Sequence, residues 1–541
     1  MLLDKSGVFS ESIISVTHFS DWMKGDGKFA ERTTMNLSTE ILCVVLTTII
    51  GLVMVPYYID RLGIAAYAVV PLATSVSSYM IIIANSFSNA INRFFVQALR
   101  KGDRDVELMT YSTSLRLMVL IAAILMPITA VVSYFTPDIF NVPEGSYTSV
   151  RILFLCEFWS SIFLNFGTCF NNALVAYNKT YVINTIRSSY LALQILTVVV
   201  LFAVFVPSLE QIGYAYMVGI TLYVVASYIV MKREFPELHY VADAVNNSHM
   251  KEIGALAFWS AVVRIGNLLF LQASLILTNL YLGAETEGGF SLVVSMVSMV
   301  GTACNAVTNI FYPFYHKFYA DKDRSSFIGI AVLGIRTLSL VVAMPLAYVC
   351  IFSPEVFTFW VGGEYVYLKN TVWVMFFLLI FYATVGVIET IPTILLKVKE
   401  AAIITLILGL LNIVLAVILL SFTDLGILGV AAAYTISMFL RNGIIFPIFI
   451  SKSLRCSLTK FINPMFGGFI VFLVGLGYCY VFSLFWDVQG TIVSVLVSFI
   501  VMFAIFFYLA IRFGLTRKEK SMLEEAMPKR LSLAFGKIFC D

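Results

Sequence analysis

The stretch LGIAAYAVVPLATSVSSYMIIIANSFSNAINRFFVQALRKGDR at 62–104 returns 220 positions later, without a gap, as LGAETEGGFSLVVSMVSMVGTACNAVTNIFYPFYHKFYADKDR at 282–324. Leu62-Gly63, Leu72, Ser75, Ser78, Asn85, Asn89, Phe94 and Asp103-Arg104 correspond to Leu282-Gly283, Leu292, Ser295, Ser298, Asn305, Asn309, Phe314 and Asp323-Arg324. Most of the matched residues are polar or turn-forming, so a shared apolar composition does not explain the match. It marks an internal duplication. The same offset pairs Arg116 with Arg336 and Lys179 with Lys399, then slips a few residues, so that Ile212-Gly213-Tyr214-Ala215 meets Leu428-Gly429-Val430-Ala431.

Composition says what is duplicated. The 541 residues are 60% hydrophobic and only 12% charged, whereas soluble domains run nearer half apolar and a quarter charged. Apolar runs of about 20 residues recur, long enough to span a hydrocarbon core of roughly 30 Å. The pattern predicts an all-α polytopic membrane protein with fourteen spans, near 38–59, 65–92, 110–135, 148–174, 182–206, 212–231, 253–281, 286–314, 327–352, 369–395, 401–420, 426–450, 462–485 and 490–513. Polar residues up to Asn36 precede the first run, so no cleavable signal peptide is expected.

Lys and Arg gather in alternate loops: Arg100, Lys101 and Arg104; Lys179; Lys232, Arg233 and Lys251; Lys317, Lys322 and Arg324; Lys397 and Lys399; Lys452, Arg455 and Lys460. Those loops are expected to face the cytoplasm, which places both termini inside. Each repeat unit holds six spans, an even number, so the copies are expected to be parallel and related by an axis along the membrane normal. The expected divisions are a cytoplasmic segment 1–36, a first lobe 37–232, a linker 233–252, a second lobe 253–452, spans thirteen and fourteen at 453–513, and a basic tail 514–541. Residues 1–36 read as a short interfacial helix or else as a disordered tail, and the tail from Leu515 as an interfacial helix on anionic lipid or else as positive-inside flanking.

In the second span Ser75, Ser78, Asn85, Asn89 and Asn92 fall on one helical face, and the eighth span repeats it with Ser295, Ser298, Asn305 and Asn309. Amide side chains lack partners in hydrocarbon, so this face lines a hydrophilic chamber or a hydrogen-bonded packing stripe. Arg264 lies too deep in the seventh span to be an end-cap. It reads as an anion-binding group, with Arg93, Arg187 and Arg441 as companions, or as one half of a buried ion pair. Guanidinium stays charged and pairs bidentately with phosphate oxygens, which suits the first role. Glu157 and Glu389 are candidates for binding a coupling Na⁺ or proton, or for closing ion pairs. Arg116 and Arg336 can snorkel and are expected to be structural.

The eight cysteines are scattered and the four histidines have no neighbouring ligand set, so neither a metal nor a cofactor is expected. A formal net charge of +3 gives no reason to expect nucleic acid. No phosphate-binding Gly-x-x-x-x-Gly-Lys-Ser/Thr loop and no His-Glu-x-x-His is present, which disfavours an ATP-driven pump or a membrane protease.

Leu62-Gly63, the run Asn92-Arg93-Phe94-Phe95 continuing into Leu99-Arg100-Lys101-Gly102-Asp103, and Leu425-Gly426-Ile427-Leu428-Gly429-Val430-Ala431-Ala432-Ala433 resemble the Wzx-type polysaccharide flippases. These belong to the multidrug/oligosaccharidyl-lipid/polysaccharide exporter superfamily, and the resemblance covers about 37–452. It implies a bacterial inner-membrane protein, not an enzyme, that moves undecaprenyl-pyrophosphate-linked oligosaccharide, such as O-antigen repeat units, from inner to outer leaflet. It also implies two six-helix lobes forming a MATE-like V, alternating access, and a chamber lined by spans 1, 2, 7 and 8. In that frame Arg264 and Arg93 would hold pyrophosphate, and Asn85, Asn89, Asn305 and Asn309 would bind sugar hydroxyls. Membrane lipid, a polysaccharide polymerase and glycosyltransferases are the implied partners. Few arginines stand on the first span, where Glu40 is the only charge, and this departs from lipid II flippases. A multidrug or metabolite cation antiporter and a non-transporting scaffold of a glycan-synthesis complex are the alternative expectations.

Overall fold

The computed structural model describes residues 27–101, 104–395 and 397–514, and among them it is helical throughout, without a strand. The expected interfacial segments fall largely in 1–26 and 515–541, outside the described residues. The helices are α1 (Gly27–Leu62), α2 (Ile64–Lys101), α3 (Arg104–Ile139), α4 (Tyr147–Ala176), α5 (Thr180–Val204), α6 (Leu209–Glu234), α7 (Asn247–Leu282), α8 (Ala284–Ala320) and α9 (Arg324–Trp360). They continue as α10 (Lys369–Phe377), α11 (Leu379–Glu389), α12 (Ile391–Ile394), α13 (Val398–Phe422), α14 (Ile427–Phe439), α15 (Phe446–Ser453), α16 (Thr459–Phe485) and α17 (Ile492–Gly514). Among the described residues thirteen helices are long and apolar enough to cross a membrane; the pair Gly363–Phe377 and Leu379–Ile394, bent by 40°, makes a fourteenth when counted as one span. Each of the fourteen spans expected from the sequence falls on one of these.

The duplicated motif is duplicated in structure. Gly63 (φ 79°) and Gly283 (φ 86°) end α1 and α7 in the left-handed region that a residue without Cβ enters freely. Their amides close the last turns on Ile59 O (2.8 Å) and Asn279 O (3.0 Å). At the other end of the repeat, Asp323 caps α9 by accepting from Ser326 N at 3.0 Å. Hydrogen bonds from Ser326, through its side chain first and then its backbone, hold this exposed carboxyl below the usual carboxylate range.

The chain divides into two compact units, 1–291 and 292–541. In the first, α4 packs on α2, α3 and α6, α1 packs on α5, and α7 packs on α2 and α3. The repeat counts α7 as the opening helix of its second copy, yet its packing partners are helices of the first. Asn141 N–H donates to Asn279 Oδ1 (3.0 Å), Asn141 Nδ2 to Asn279 O (2.6 Å) and Asn279 Nδ2 to Asn141 O (3.1 Å), which ties the α3–α4 connection to the end of α7. Just past that end, a Cβ on Gly288 would stand 2.9 Å from Ile64 O and 3.1 Å from Ala68 Cβ, so the first turns of α2 and α8 meet backbone to backbone.

In the second unit α9 is the central helix, covered by α10, α11, α16 and α17, while α14 packs on α10 and α13. Three of its described spans are irregular, the ninth being kinked at the non-helical Phe352 (φ −100°, ψ 22°) of α9. The tenth breaks at Leu378, and the twelfth passes through a π-helical turn, Leu440–Ile445, between α14 and α15. Such turns insert an extra residue into the helix and are frequent at functional positions.

Candidate functional site

Unit 1 builds a polar interior on α2. Ser75 Oγ donates to Gln272 Oε1 of α7 at 2.7 Å, and Ser77 Oγ donates to Glu157 Oε1 of α4 at 3.1 Å. The start of α2 lies against Gly288 just beyond the end of α7, and Ser75 meets Gln272, so α2 and α7 run antiparallel. Residue numbers across this contact therefore sum to a constant, which sets Arg264 level with position 83 of α2, within one turn of Asn85. Arg264 is exposed, and no described residue pairs with it. Glu157, level with Ser77, stands about 9 Å farther along the helix axes, at 1.5 Å per residue. Those two opposite charges are therefore not partners.

The side chains of Asn85, Asn89, Arg93 and Asn309 lie outside the described residues. Their backbones fix the register: Arg93 is about three turns of α2 past the level of Arg264, too far for one small anion to touch both. Asn305 is exposed on α8 in the second unit. Arg187 is exposed on α5 and bonds Tyr190 of its own helix.

Unit 2 holds its charge differently. Arg441, only 2% exposed, projects from the π-helical turn and donates through Nη2 to Glu389 Oε1 (2.5 Å), through Nη1 to Asn442 Oδ1 (2.7 Å) and through Nε to Thr405 Oγ1 (3.2 Å). Its guanidinium also lies 5.3 Å from the centre of the Phe446 ring. One side chain thus joins the tenth, eleventh and twelfth spans, and its carboxylate partner keeps 37% of its side chain accessible. Of the two readings for Glu389, this geometry is the ion pair.

One acidic group went unnoticed in the sequence. Glu287, four positions after Gly283 in the first turn of α8, is 0% exposed, and neither carboxyl oxygen has a hydrogen-bond partner among the described residues. Tyr67 of α2 and Ser291 are beside it. The repeat offset carried the signal, because 67 and 287 are equivalent positions and an acid replaces a tyrosine there. Among the described residues no three His, Cys, Asp or Glu converge to hold a metal ion.

No family model matches the chain. Over 425 residues it is 28% identical to a Bacillus subtilis (strain 168) protein named "Uncharacterized membrane protein EpsK", covering 78% of this chain and 83% of that one. Among solved structures it is similar to an inward-facing multidrug resistance MATE family transporter of the MOP superfamily, with a TM-score of 0.59 and 12% identity over 83% of this chain and 98% of that one. It is also similar to the lipid II flippase MurJ in an inward closed conformation, with a TM-score of 0.58 and 15% identity over 85% of this chain and 98% of that one. The chain therefore has the fold shared by MATE transporters and the lipid II flippase.

Proposed function

We propose that this protein is a flippase of the bacterial inner membrane, both termini cytoplasmic, that carries undecaprenyl-pyrophosphate-linked oligosaccharide to the outer leaflet by alternating access. Arg264 carries this reading: it is an exposed guanidinium without a counterion among the described residues, deep in a span, on a helix bonded to the polar face of α2. A cation at that depth costs about 2.5 kcal/mol or more unless something charged or wet meets it. A pyrophosphate answers that need with bidentate oxygens. The amides expected of this face, Asn85, Asn89, Asn305 and Asn309, are of the kind that bind sugar hydroxyls, while the polyprenyl tail stays in lipid. No covalent step is required, and the fold shared with a lipid II flippase supports the assignment.

The test uses full-length protein in liposomes with a fluorescent undecaprenyl-pyrophosphate-linked sugar. Wild type is expected to speed its exchange between leaflets, and Arg264→Ala to lose that activity at normal membrane insertion. Exchange by Arg264→Ala at the wild-type rate would remove the residue from the site. No acceleration by wild type would favour a scaffold role in a glycan-synthesis complex.

A second reading, a cation antiporter, draws on the MATE likeness and on Glu157, an acid within a span flanked by the hydroxyls of Ser77 and Tyr216. Wild-type efflux of an organic cation that depends on Glu157 and not on Arg264 would select it.

A further inference from the structure

We propose that Glu287 is a proton-binding site of unit 1, in exchange with the side of the membrane opposite the cytoplasm. This rests on the transporter reading and on the orientation given by the basic loops. A fully buried carboxylate without a counter-charge is prohibitively costly, so the group exists as the neutral acid wherever this packing holds. Both of its oxygens lack partners. The structure shown here thus leaves a titratable group unsatisfied rather than building it into a network.

The surroundings select a proton over a larger cation. Tyr67 from α2 is a titratable neighbour, its hydroxyl bonded to that of Ser291 one turn along α8, and Glu285 on the same helix is exposed. Beyond Tyr67 stand Tyr58 of α1 and Tyr216 of α6, and Tyr216 in turn adjoins Glu157. No Lys, Arg or His among the described residues pairs with Glu287. One carboxyl and two hydroxyls fall short of the oxygen shell a hard cation takes.

Access comes from a cavity of about 270 Å³ lined by Ala65, Pro137, Phe140, Asn141, Tyr147 and Ala284, among others. That volume admits several waters at about 30 Å³ each. Ala284 is one helical turn before Glu287, and Ala65 is two residues before Tyr67, so the cavity opens on the turns that carry the pair. The loops around it, α1–α2, α3–α4 and α7–α8, are those the charge distribution sets outside. A shift of α8 against α2 that admitted this water would let the acid ionise, and return to the buried packing requires a proton again. Proton binding and the packing of α2 on α8 are therefore linked.

Two measurements on the full-length protein test the site. In an infrared titration of purified protein, the carbonyl band of protonated carboxyl groups is followed from neutral to alkaline pH. Glu287→Gln is expected to lose one titrating carboxyl per chain, and Glu287→Asp, which keeps the acid with less bulk, is expected to retain it. A Glu287→Gln spectrum equal to wild type overturns the proposal.

In liposomes carrying the fluorescent undecaprenyl-pyrophosphate-linked sugar, a pH gradient is expected to change the wild-type exchange rate several-fold and to leave the Glu287→Gln rate unaltered. An equal gradient response in Glu287→Gln, or a wild-type response to a sodium gradient alone, overturns it as well. Absence of any sugar-lipid exchange in wild type defeats the proposed cargo, and the infrared titration still decides Glu287.

Discussion

The two units treat charge within their membrane spans in opposite ways. In unit 2, Arg441 is tied off by Glu389, Asn442, Thr405 and the Phe446 ring. In unit 1, Arg264 and Glu287 have no described counterion, and Glu157 is met by the hydroxyl of Ser77, with Tyr216 nearby. The duplication makes the contrast sharper, because each charge stands where the other copy has a neutral residue. Arg264 matches Val44, Glu157 matches Phe377, Glu287 matches Tyr67 and Glu389 matches Cys169. On the polar face of α2 and α8 the copies share uncharged residues, Ser75, Ser78, Asn85 and Asn89 with their counterparts. Those four charges were acquired separately, with Arg441 and Glu389 paired into a clamp in unit 2 and Arg264 and Glu287 left without a described counterion in unit 1.

Breaking the clamp should produce the largest effect on stability. Glu389→Ala strands a buried guanidinium, which costs about 3–5 kcal/mol. Thermal unfolding in detergent should show it, and the double variant Glu389→Leu/Arg441→Met should recover most of the loss. A small change in the single variant would mean that Thr405 and Asn442 suffice to satisfy Arg441.

Arg264→Ala should do the reverse, leaving the melting temperature nearly unchanged while lowering sugar-lipid exchange. A lost charge-assisted contact of about 1.5–3 kcal/mol corresponds to roughly ten- to a hundredfold in rate. If the variant instead melts early, Arg264 belongs with the clamp and the contrast between the units fails.

Glycines sharpen the comparison at lower energy. Gly288→Ala in unit 1 drives a methyl into the Ile64 carbonyl and should cost about 1–3 kcal/mol. Gly329→Ala in α9 of unit 2 meets nothing within 4 Å and should stabilise by about 0.5–1 kcal/mol through helix propensity. Equal melting of the two variants would contradict the close approach of α2 and α8.

The smallest effect is expected at Asp323. Its carboxyl is held below the usual value of 3.8 by Ser326, so its contribution to the α9 cap is present above that pH. It is lost as pH falls through the lower, folded-state value. Asp323→Asn keeps the acceptor and should remove this acid sensitivity, detectable as a flatter dependence of melting on acid pH.

Much of the fold was legible because its signals are local. Apolar runs, alternating basic loops and the Leu-Gly turns at 62–63 and 282–283 each act within a few residues, and together they placed all fourteen spans. The packing of α7 was not legible, because the repeat records ancestry whereas contacts record which faces complement each other. The Arg441–Glu389 pair joins residues 52 positions apart through a π-helical turn that has no composition signature. Glu287 was hidden by its place near the start of a span, where an acid ordinarily flanks the membrane and faces water. Only the position of Ile64 and Ala68 against the same turn shows that it is enclosed.

That contact has a meaning in terms of descent. Positions 68 and 288 are the same position of the repeat, so the chain touches its own copy there. In a pair of identical separate chains, a residue at such a point meets itself across a two-fold axis, and every substitution is made twice. Fusion into one chain lifts that constraint. Ala68 could then face Gly288, and one turn position away Tyr67 could face Glu287: an asymmetric pair that no symmetric dimer can encode.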